Sequence, residues 1–182
     1  MIEHKIKFGT DGWRAIIAKE YTIDNVRRVA EGTAKWMKEN NYEKVVIGHD
    51  CRFGGKMFAE AVTQVFGAYG IKVNLAKGFV STPMVSLGVV KTKSQLGVVI
   101  TASHNPPSYN GFKLKGHFGG PLSPEHVQEI EDIIPDFDDS YKNIDFDTKM
   151  LTVAGLNDPL GTNFGYRIFN TSGANPDYNN FI

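Results

Sequence analysis

One stretch, residues 96 to 115, constrains the fold of this chain more than any other part of its sequence. It begins with five apolar residues, Leu96–Ile100, without polar alternation, which is typical of a strand buried on both faces. A turn rich in Thr, Ser, His, Asn and Pro follows, and residues 112–115 form a second extended segment. Because ligands in open α/β sheets collect outside the carboxyl ends of strands, the turn is a candidate binding loop.

The rest of the first 135 residues alternates between strand-like and helical patterns. Apolar segments at 45–48, 71–75 and 96–100 are separated by two helical segments, one at 55–69 that ends at Gly70 and one from 82 to about 90. A further helical period, at 22–40, precedes them. A β-α-β-α-β order predicts parallel strands with helices on both faces. We therefore predict a three-layer α/β/α fold whose mostly parallel sheet carries one antiparallel edge strand, at residues 112–115.

Shorter elements flank this unit. Two short strands, at 5–8 and 13–17, are predicted on either side of a glycine turn. Thr82 and Pro83 are placed to cap and start a helix that runs to about residue 90. Another helix is predicted to start at Ser123-Pro124 and to stop at Pro135.

The chain changes character after this region. Residues 136–149 are an acidic, linker-like stretch, and residues 151–182 contain six asparagines but only three charged side chains. No helical period occurs there, and the strand signals are weak. We predict one α/β domain over residues 1–135 and an acidic linker with an Asn/Gly-rich tail over residues 136–182.

Composition excludes several classes of function. Twenty basic and twenty acidic residues cancel and form no basic stripe, so we expect no nucleic-acid partner. The apolar stretches are strand-sized, so we expect no membrane span, and the first residues lack the apolar core of a signal peptide. A single cysteine, Cys51, excludes an internal disulfide and a cysteine-based zinc cage. We therefore expect a cytoplasmic protein.

Residue types alone leave two readings of each candidate site residue. Ser, Asn and Pro are turn formers, so the loop after Ile100 is either a functional loop or only a turn. Arg14 either forms a surface salt bridge or grips a phosphate with two parallel hydrogen bonds. Arg52 either binds a ligand or pairs with Asp50. The motifs of a triad hydrolase and of a dinucleotide-binding enzyme are missing from the sequence.

Three motifs, in the same order along the chain, resemble those of one family. Residues 101–106, Thr-Ala-Ser-His-Asn-Pro, resemble the phosphoserine loop of the α-D-phosphohexomutases, which include phosphoglucomutase and phosphomannomutase. Residues 110–113, Asn-Gly-Phe-Lys, resemble the segment that follows it there. Residues 8–14, Phe-Gly-Thr-Asp-Gly-Trp-Arg, resemble the amino-terminal signature, although Ala15 replaces the usual glycine. The resemblance covers about residues 5–134, the first of four domains in the family.

The resemblance implies a role for each residue. Ser103 carries a phosphoryl group, gives it to a hexose phosphate to form a bisphosphosugar, and takes back the other phosphate. The net reaction moves phosphate between O1 and O6. Lys113 exchanges a proton with the sugar hydroxyl, and His104 orients or assists. Arg14 stabilises phosphoryl charge. Arg52 and Thr101 are further candidate phosphate-binding residues.

The resemblance also implies parts that this sequence lacks. In the family, Mg²⁺ is bound by an Asp-Gly-Asp-x-Asp-Arg loop of the second domain, and a phosphoserine oxygen completes its shell. No such loop occurs here, so Ser103 would contribute to a metal site only through its phosphate. We expect the remaining mutase domains as partners, a bisphosphosugar primer, and no turnover by this chain alone. Trp13 favours phosphoglucomutase/phosphomannomutase over phosphoglucosamine mutase, and the alternative is a stand-alone binding domain without catalysis.

Overall fold

The structure of the protein is a computed structural model that describes residues 6–9 and 12–136 and two further strands. Within the described part the helices and strands follow one another along the chain in this order: β1 Trp13–Ile16, α1 Ile23–Glu39, β2 Lys44–His49, α2 Gly55–Ala68, β3 Lys72–Phe79, α3 Thr82–Thr92, β4 Leu96–Ile100, β5 Tyr109–Gly116, α4 Pro124–Asp132, β6 Lys149–Thr152 and β7 Tyr166–Asn170. The predicted α/β class is confirmed.

The strands form one mixed sheet in the order β1-β5-β4-β2-β3-β7-β6. Strand β2 pairs in parallel with both β3 and β4. Antiparallel strands flank this parallel centre on both sides, because β5 pairs antiparallel with β4 and β7 pairs antiparallel with β3. The predicted antiparallel strand at 112–115 is therefore present in β5. It is not the edge of the sheet, however, since β1 pairs with its other side.

The apolar strand predicted at Leu96–Ile100 is confirmed with the same bounds, and all five residues are buried. Alternate side chains of a strand point to opposite faces of the sheet. Leu96, Val98 and Ile100 belong to the main core cluster with residues of α1 and α2. Val99 belongs to a smaller cluster that includes Val85 and Val89 of α3. The strand is therefore covered by helices on both faces, although its pairing is parallel on one side only.

The helices begin where polar residues can satisfy their free N–H groups. Thr22 caps α1 as predicted, and its hydroxyl accepts a hydrogen bond from the Asn25 amide at 3.2 Å. Ser123 caps α4 in the same way. The predicted cap at Thr82 is wrong by one residue, because Ser81 is the cap of α3 and Thr82 already lies in the helix.

The strand predicted at residues 5–8 is also wrong within its described part, since residues 6–8 are not in a strand. The Phe8 amide donates instead to the carboxylate of Glu131 at 2.7 Å. That amide is therefore not available for a hydrogen bond to a neighbouring strand. Most of the predicted linker and tail lies outside the described residues, and the domain boundary at 135 stays a prediction. None of the described helices is long and apolar enough to cross a bilayer.

Candidate active site

A loop that carries the predicted phosphoserine starts directly after β4. Ser103 is exposed, and its backbone φ is 57°. This value lies in the left-handed region, which residues other than Gly, Asn and Asp rarely adopt. Holding a serine in this region costs on the order of 1–3 kcal/mol, and such outliers persist where surrounding contacts over-determine them. We refer to residues 101–108 as the serine loop.

The guanidinium of Arg52 supplies many of these contacts. Its two terminal nitrogens donate to four backbone carbonyl oxygens, at 2.6–3.0 Å: Ser103, Asn105, Pro106 and Tyr109. Its Nε lies 3.4 Å from the Asp50 carboxylate. A guanidinium has five N–H donors: the four on the terminal nitrogens are hydrogen-bonded to carbonyls, and the Nε group lies against the Asp50 carboxylate. Arg52 thus pairs with Asp50, and the phosphate-binding role predicted for Arg52 stays a prediction.

The carboxylate of Asp50 connects this guanidinium to the start of the loop. Its Oδ1 accepts from the Arg52 amide at 2.9 Å, and its Oδ2 accepts from the Thr101 hydroxyl. The Thr101 oxygen in turn accepts from the Ser103 amide at 3.1 Å. Thr101 is 5% exposed. The Thr101 hydroxyl therefore already makes two hydrogen bonds, one to Asp50 and one with the Ser103 amide. The phosphate-binding role predicted for Thr101 stays a prediction.

Two further candidate cations, Arg14 and Lys113, lie on neighbouring strands. Arg14 of β1 is opposite Gly111 of β5, and Lys113 is two residues further along β5. Side chains opposite each other in an antiparallel pair, and those two residues apart on one strand, share a face of the sheet. The strand register thus brings Arg14 and Lys113 to the same face, which is also the face of Val99 and α3.

Glycines leave room for both side chains. A Cβ added at Gly111 would lie 3.0 Å from Cγ of Arg14, and one at Gly12 would lie 3.0 Å from Cγ of Lys113. Gly12 also has a φ of 100°, which favours glycine. Gly111 therefore leaves space for the Arg14 side chain, and Gly12 leaves space for the Lys113 side chain. Lys113 itself is buried, with 4% of its surface exposed.

Arg14 also contacts the serine loop directly. Its Nη1 donates to Oδ1 of Asn105 at 3.0 Å, two residues beyond Ser103. A cleft of about 330 Å³ lies beside Arg14, with Lys7, Glu20 and Tyr109 among its other lining residues. The structure therefore brings Arg14 and the loop of Ser103 together. The described lining of the cleft includes no other predicted site residue.

His104 is exposed on the loop next to Ser103, and its predicted assisting role stays a prediction. The sequence interpretation missed Asn105 as the partner of Arg14, although it lies within the recognised motif. It also missed Tyr21, whose fully buried hydroxyl donates to the Gly111 carbonyl at 2.8 Å. That carbonyl also accepts from the Thr101 amide at 2.9 Å. Tyr21 therefore supports the point where β5 meets the serine loop.

Burial raises the pKa of Tyr21 well above its usual value, and the negative charge of Asp50 adds to this shift. The phenol is consequently a neutral hydrogen-bond donor throughout the neutral range. Its ring stacks on that of Trp13, the residue directly before Arg14, at a centroid distance of 4.7 Å. Only the structure could reveal this role, because a tyrosine before a helix carries no motif of its own.

The described residues do not fit a magnesium site by themselves. Mg²⁺ prefers several hard oxygen ligands in octahedral geometry, and no three His, Cys, Asp or Glu side chains converge in the part of the chain that the structure describes. The Asp50 carboxylate is hydrogen-bonded to the serine loop through Thr101, and both of its oxygens already contact Arg52 or Thr101. A metal would therefore need ligands from elsewhere.

Comparisons with known proteins show the family of the chain. The family model "Phosphoglucomutase/phosphomannomutase, alpha/beta/alpha domain I" matches residues 5–140. The chain is 35% identical to a phosphoglucosamine mutase of Fusobacterium nucleatum, over 72% of this chain and 30% of that protein. It is also 35% identical to a phosphoglucomutase of Staphylococcus saprophyticus, over 72% of this chain and 25% of that one.

A solved structure has the same fold. The crystal structure of a putative phosphomannomutase from Thermus thermophilus superposes with a TM-score of 0.72 at 41% identity, over 74% of this chain and 31% of that chain. The chain thus spans about a quarter to a third of the length of the relatives it matches.

Proposed function

The chain belongs to the phosphoglucomutase/phosphomannomutase family, as its domain I, and we propose that it is the phosphoserine-bearing part of a hexose-phosphate mutase. Ser103 is the phosphoryl carrier in this proposal. The observation that carries it is the exposed serine held at a left-handed φ, on a loop that Arg14 contacts from the neighbouring strand. Strain of this kind at the end of a central strand is typical of functional sites.

The proposed reaction has two phosphoryl transfers. A hydroxyl oxygen of a hexose phosphate attacks the phosphorus of phospho-Ser103, the bond from phosphorus to Oγ breaks, and the sugar becomes a bisphosphate. The attacking hydroxyl gives its proton to Lys113, and the departing Oγ takes up a proton from water. After the bisphosphate turns over, the Ser103 oxygen attacks the other phosphate and its hydroxyl proton goes to water, while Lys113 returns a proton to the sugar oxygen that is released.

Arg14 supplies charge and orientation. Phosphoryl transfer depends mainly on positioning and on stabilising the charge of the transferred oxygens. The guanidinium already donates to Asn105 of the serine loop, so it is anchored close to the group that would carry the phosphate. His104, exposed next to Ser103, assists in this proposal by orienting the sugar hydroxyl or the phosphate.

The sugar is selected by other parts of the protein. Relatives named for glucose and for glucosamine phosphates match this chain at the same identity, 35%. Domain I therefore carries chemistry that these mutases share, and we expect the sugar, the distal phosphate and Mg²⁺ to be bound by the remaining domains. Hexose phosphates, a bisphosphosugar primer and a cytoplasmic location belong to the same proposal.

Mass spectrometry of the protein isolated from its native cells tests the carrier role. We expect phosphate on Ser103 and none on Ser108, which lies in the same loop and serves as an internal control. Absence of phosphate on Ser103 in protein prepared without phosphatase exposure would instead favour the alternative of a non-catalytic binding domain.

A coupled mutase assay tests the incompleteness of the chain. Losing a cationic clamp on the transferring phosphate typically costs on the order of 10³-fold in rate, and a chain without the sugar, distal-phosphate and metal sites loses several such groups. We expect no measurable turnover by this chain with magnesium and glucose 1,6-bisphosphate. A full-length relative is the positive control, and turnover within about tenfold of it would contradict the expectation.

A further inference from the structure

Three hydrogen bonds and one ion pair form a closed ring around Ser103. The Ser103 amide donates to the Thr101 oxygen at 3.1 Å, and the Thr101 hydroxyl donates to Oδ2 of Asp50. The same Asp50 oxygen lies 3.4 Å from Nε of Arg52, and Nη2 of Arg52 donates to the Ser103 carbonyl at 2.8 Å. The ring begins and ends on the backbone of the one residue in the loop that would carry the phosphoryl group.

Each member of the ring uses a property that few side chains have. The Thr101 oxygen both accepts and donates, which among residues of this size only a Ser or Thr hydroxyl can do. The Arg52 guanidinium is planar and holds its five donors in a fixed fork, so one residue reaches Asp50 and four carbonyls together. The Asp50 carboxylate accepts from the Thr101 hydroxyl and from the Arg52 backbone amide, and it forms an ion pair with the Arg52 guanidinium.

We propose that Asp50, Arg52 and Thr101 are positioning residues that hold the Ser103 backbone at its left-handed φ, and that Arg52 and Thr101 are not ligands of the phosphate. The ring fixes the peptide groups on both sides of Ser103 and leaves its side chain exposed. The catalytic consequence rests on the proposed role of Ser103 as the phosphoryl carrier. The conformational statement about the ring does not depend on that role.

Amide hydrogen exchange of Ser103, measured by NMR on the whole chain, tests the ring. Thr101→Val keeps the shape of the side chain but removes the acceptor of the Ser103 amide. We expect about tenfold faster exchange at that amide, the factor for losing a hydrogen bond of ordinary strength. Thr101→Ser keeps the hydroxyl and should exchange at the wild-type rate. Exchange of Ser103 within twofold of wild type in Thr101→Val would overturn the proposal.

Faster amide exchange in β2 would show that Thr101→Val destabilises the whole fold. A second variant is used in that case. Arg52→Lys keeps the charge but offers one nitrogen in place of the fork. We expect it too to speed exchange of Ser103 about tenfold. Its matched control is Arg27→Lys, at a half-buried arginine whose guanidinium donates to Gln64 at 3.2 Å and has no hydrogen bond to the serine loop among those the structure describes. Equal exchange of Ser103 in both lysine variants would overturn the proposal.

Titration with inorganic phosphate separates positioning from ligand binding. If Arg52 and Thr101 only position the loop, Thr101→Val and Arg52→Lys should bind phosphate within about twofold of the wild-type affinity, whereas Arg14→Ala should bind it more weakly. Loss of phosphate affinity in Thr101→Val with unchanged Ser103 exchange would assign it as a ligand and reject the ring. Failure to find phosphate on Ser103 in cells would reject the proposed function but not the ring.

Discussion

The serine loop and the strand pair β1–β5 carry neighbouring parts of the candidate site, but different interactions hold them in place. The loop is held by side chains that bond its backbone, with Arg52 donating to four carbonyls. The strands hold Arg14 and Lys113 through their register and through glycines that leave space. Removing a polar atom should therefore damage the loop, whereas adding a methyl group should damage the strand pair.

This contrast also separates chemistry from support. In the loop, the residue proposed to react contributes its backbone to the hydrogen-bonded ring and leaves its side chain exposed. In the strand pair, the residues proposed to take part in the reaction are Arg14 and Lys113. Their side chains are accommodated by the glycines beside them, Gly111 and Gly12. Mutations at the two regions should consequently affect different measurable quantities.

The largest effect is expected for Ser103→Ala, which removes the carrier but leaves the ring of the loop in place. When the chain is combined with the remaining domains of a mutase, turnover should fall to the background, because no other group would accept the phosphoryl. A coupled assay with bisphosphate primer measures this. Ser108→Ala in the same loop is the control, and activity comparable to it in Ser103→Ala would contradict the mechanism.

The next largest effect is expected for Gly111→Ala in the strand pair. The added Cβ would lie 2.6 Å from the Thr101 carbonyl oxygen and 2.8 Å from that of Trp13, so backbone must move. We expect a loss of about 3 kcal/mol in the free energy of unfolding, measured by urea denaturation. Gly78→Ala, whose Cβ would have no atom within 4 Å, should change that free energy by less than about 0.5 kcal/mol. Equal losses would refute the packing argument.

Tyr21→Phe should have a smaller effect, because it removes one hydrogen bond where the loop and the strands meet. The Gly111 carbonyl keeps the Thr101 amide as a donor, and the aromatic ring keeps its stack on Trp13. We expect the free energy of unfolding to fall by about 1 kcal/mol at pH 7. A variant as stable as wild type would show that the hydroxyl contributes nothing to this junction.

The smallest effect concerns alkaline pH. Because the folded state raises the pKa of Tyr21 above the usual 10, its contribution is present below pH 10 and is lost as the pH rises further. Wild type should therefore lose about 0.8 kcal/mol relative to Tyr21→Phe by about pH 10.5, in urea denaturation. Tyr69, which is bonded to Glu31 far from the loop, has a raised pKa and should act with the same sign. A constant difference between wild type and Tyr21→Phe from about pH 8 to about pH 10.5 would contradict this.

Much of the fold could be predicted because its signals are local. Unbroken apolar residues predicted β4 with its bounds, and periodic apolar residues predicted α1 and α2. The strand predicted at 5–8 was wrong because the Phe8 amide bonds Glu131, more than a hundred residues away. The sequence also predicts a strand at 13–17, where β1 lies, but no local signal shows that β1 pairs with β5 and so places β5 inside the sheet.

The sequence by itself determined which residues to consider, since Ser103, Arg14 and Lys113 lie in motifs that resemble a known family. Tertiary structure decided what surrounds them. The resemblance makes Arg52 a candidate phosphate ligand, but only the structure shows that its guanidinium donates to carbonyls of residues 103–109. In the same way, only the structure shows that Tyr21 donates to a carbonyl ninety residues away. Every residue has a backbone carbonyl, so no sequence pattern marks which one a distant side chain will bond. That choice is made only when the strands and loops pack.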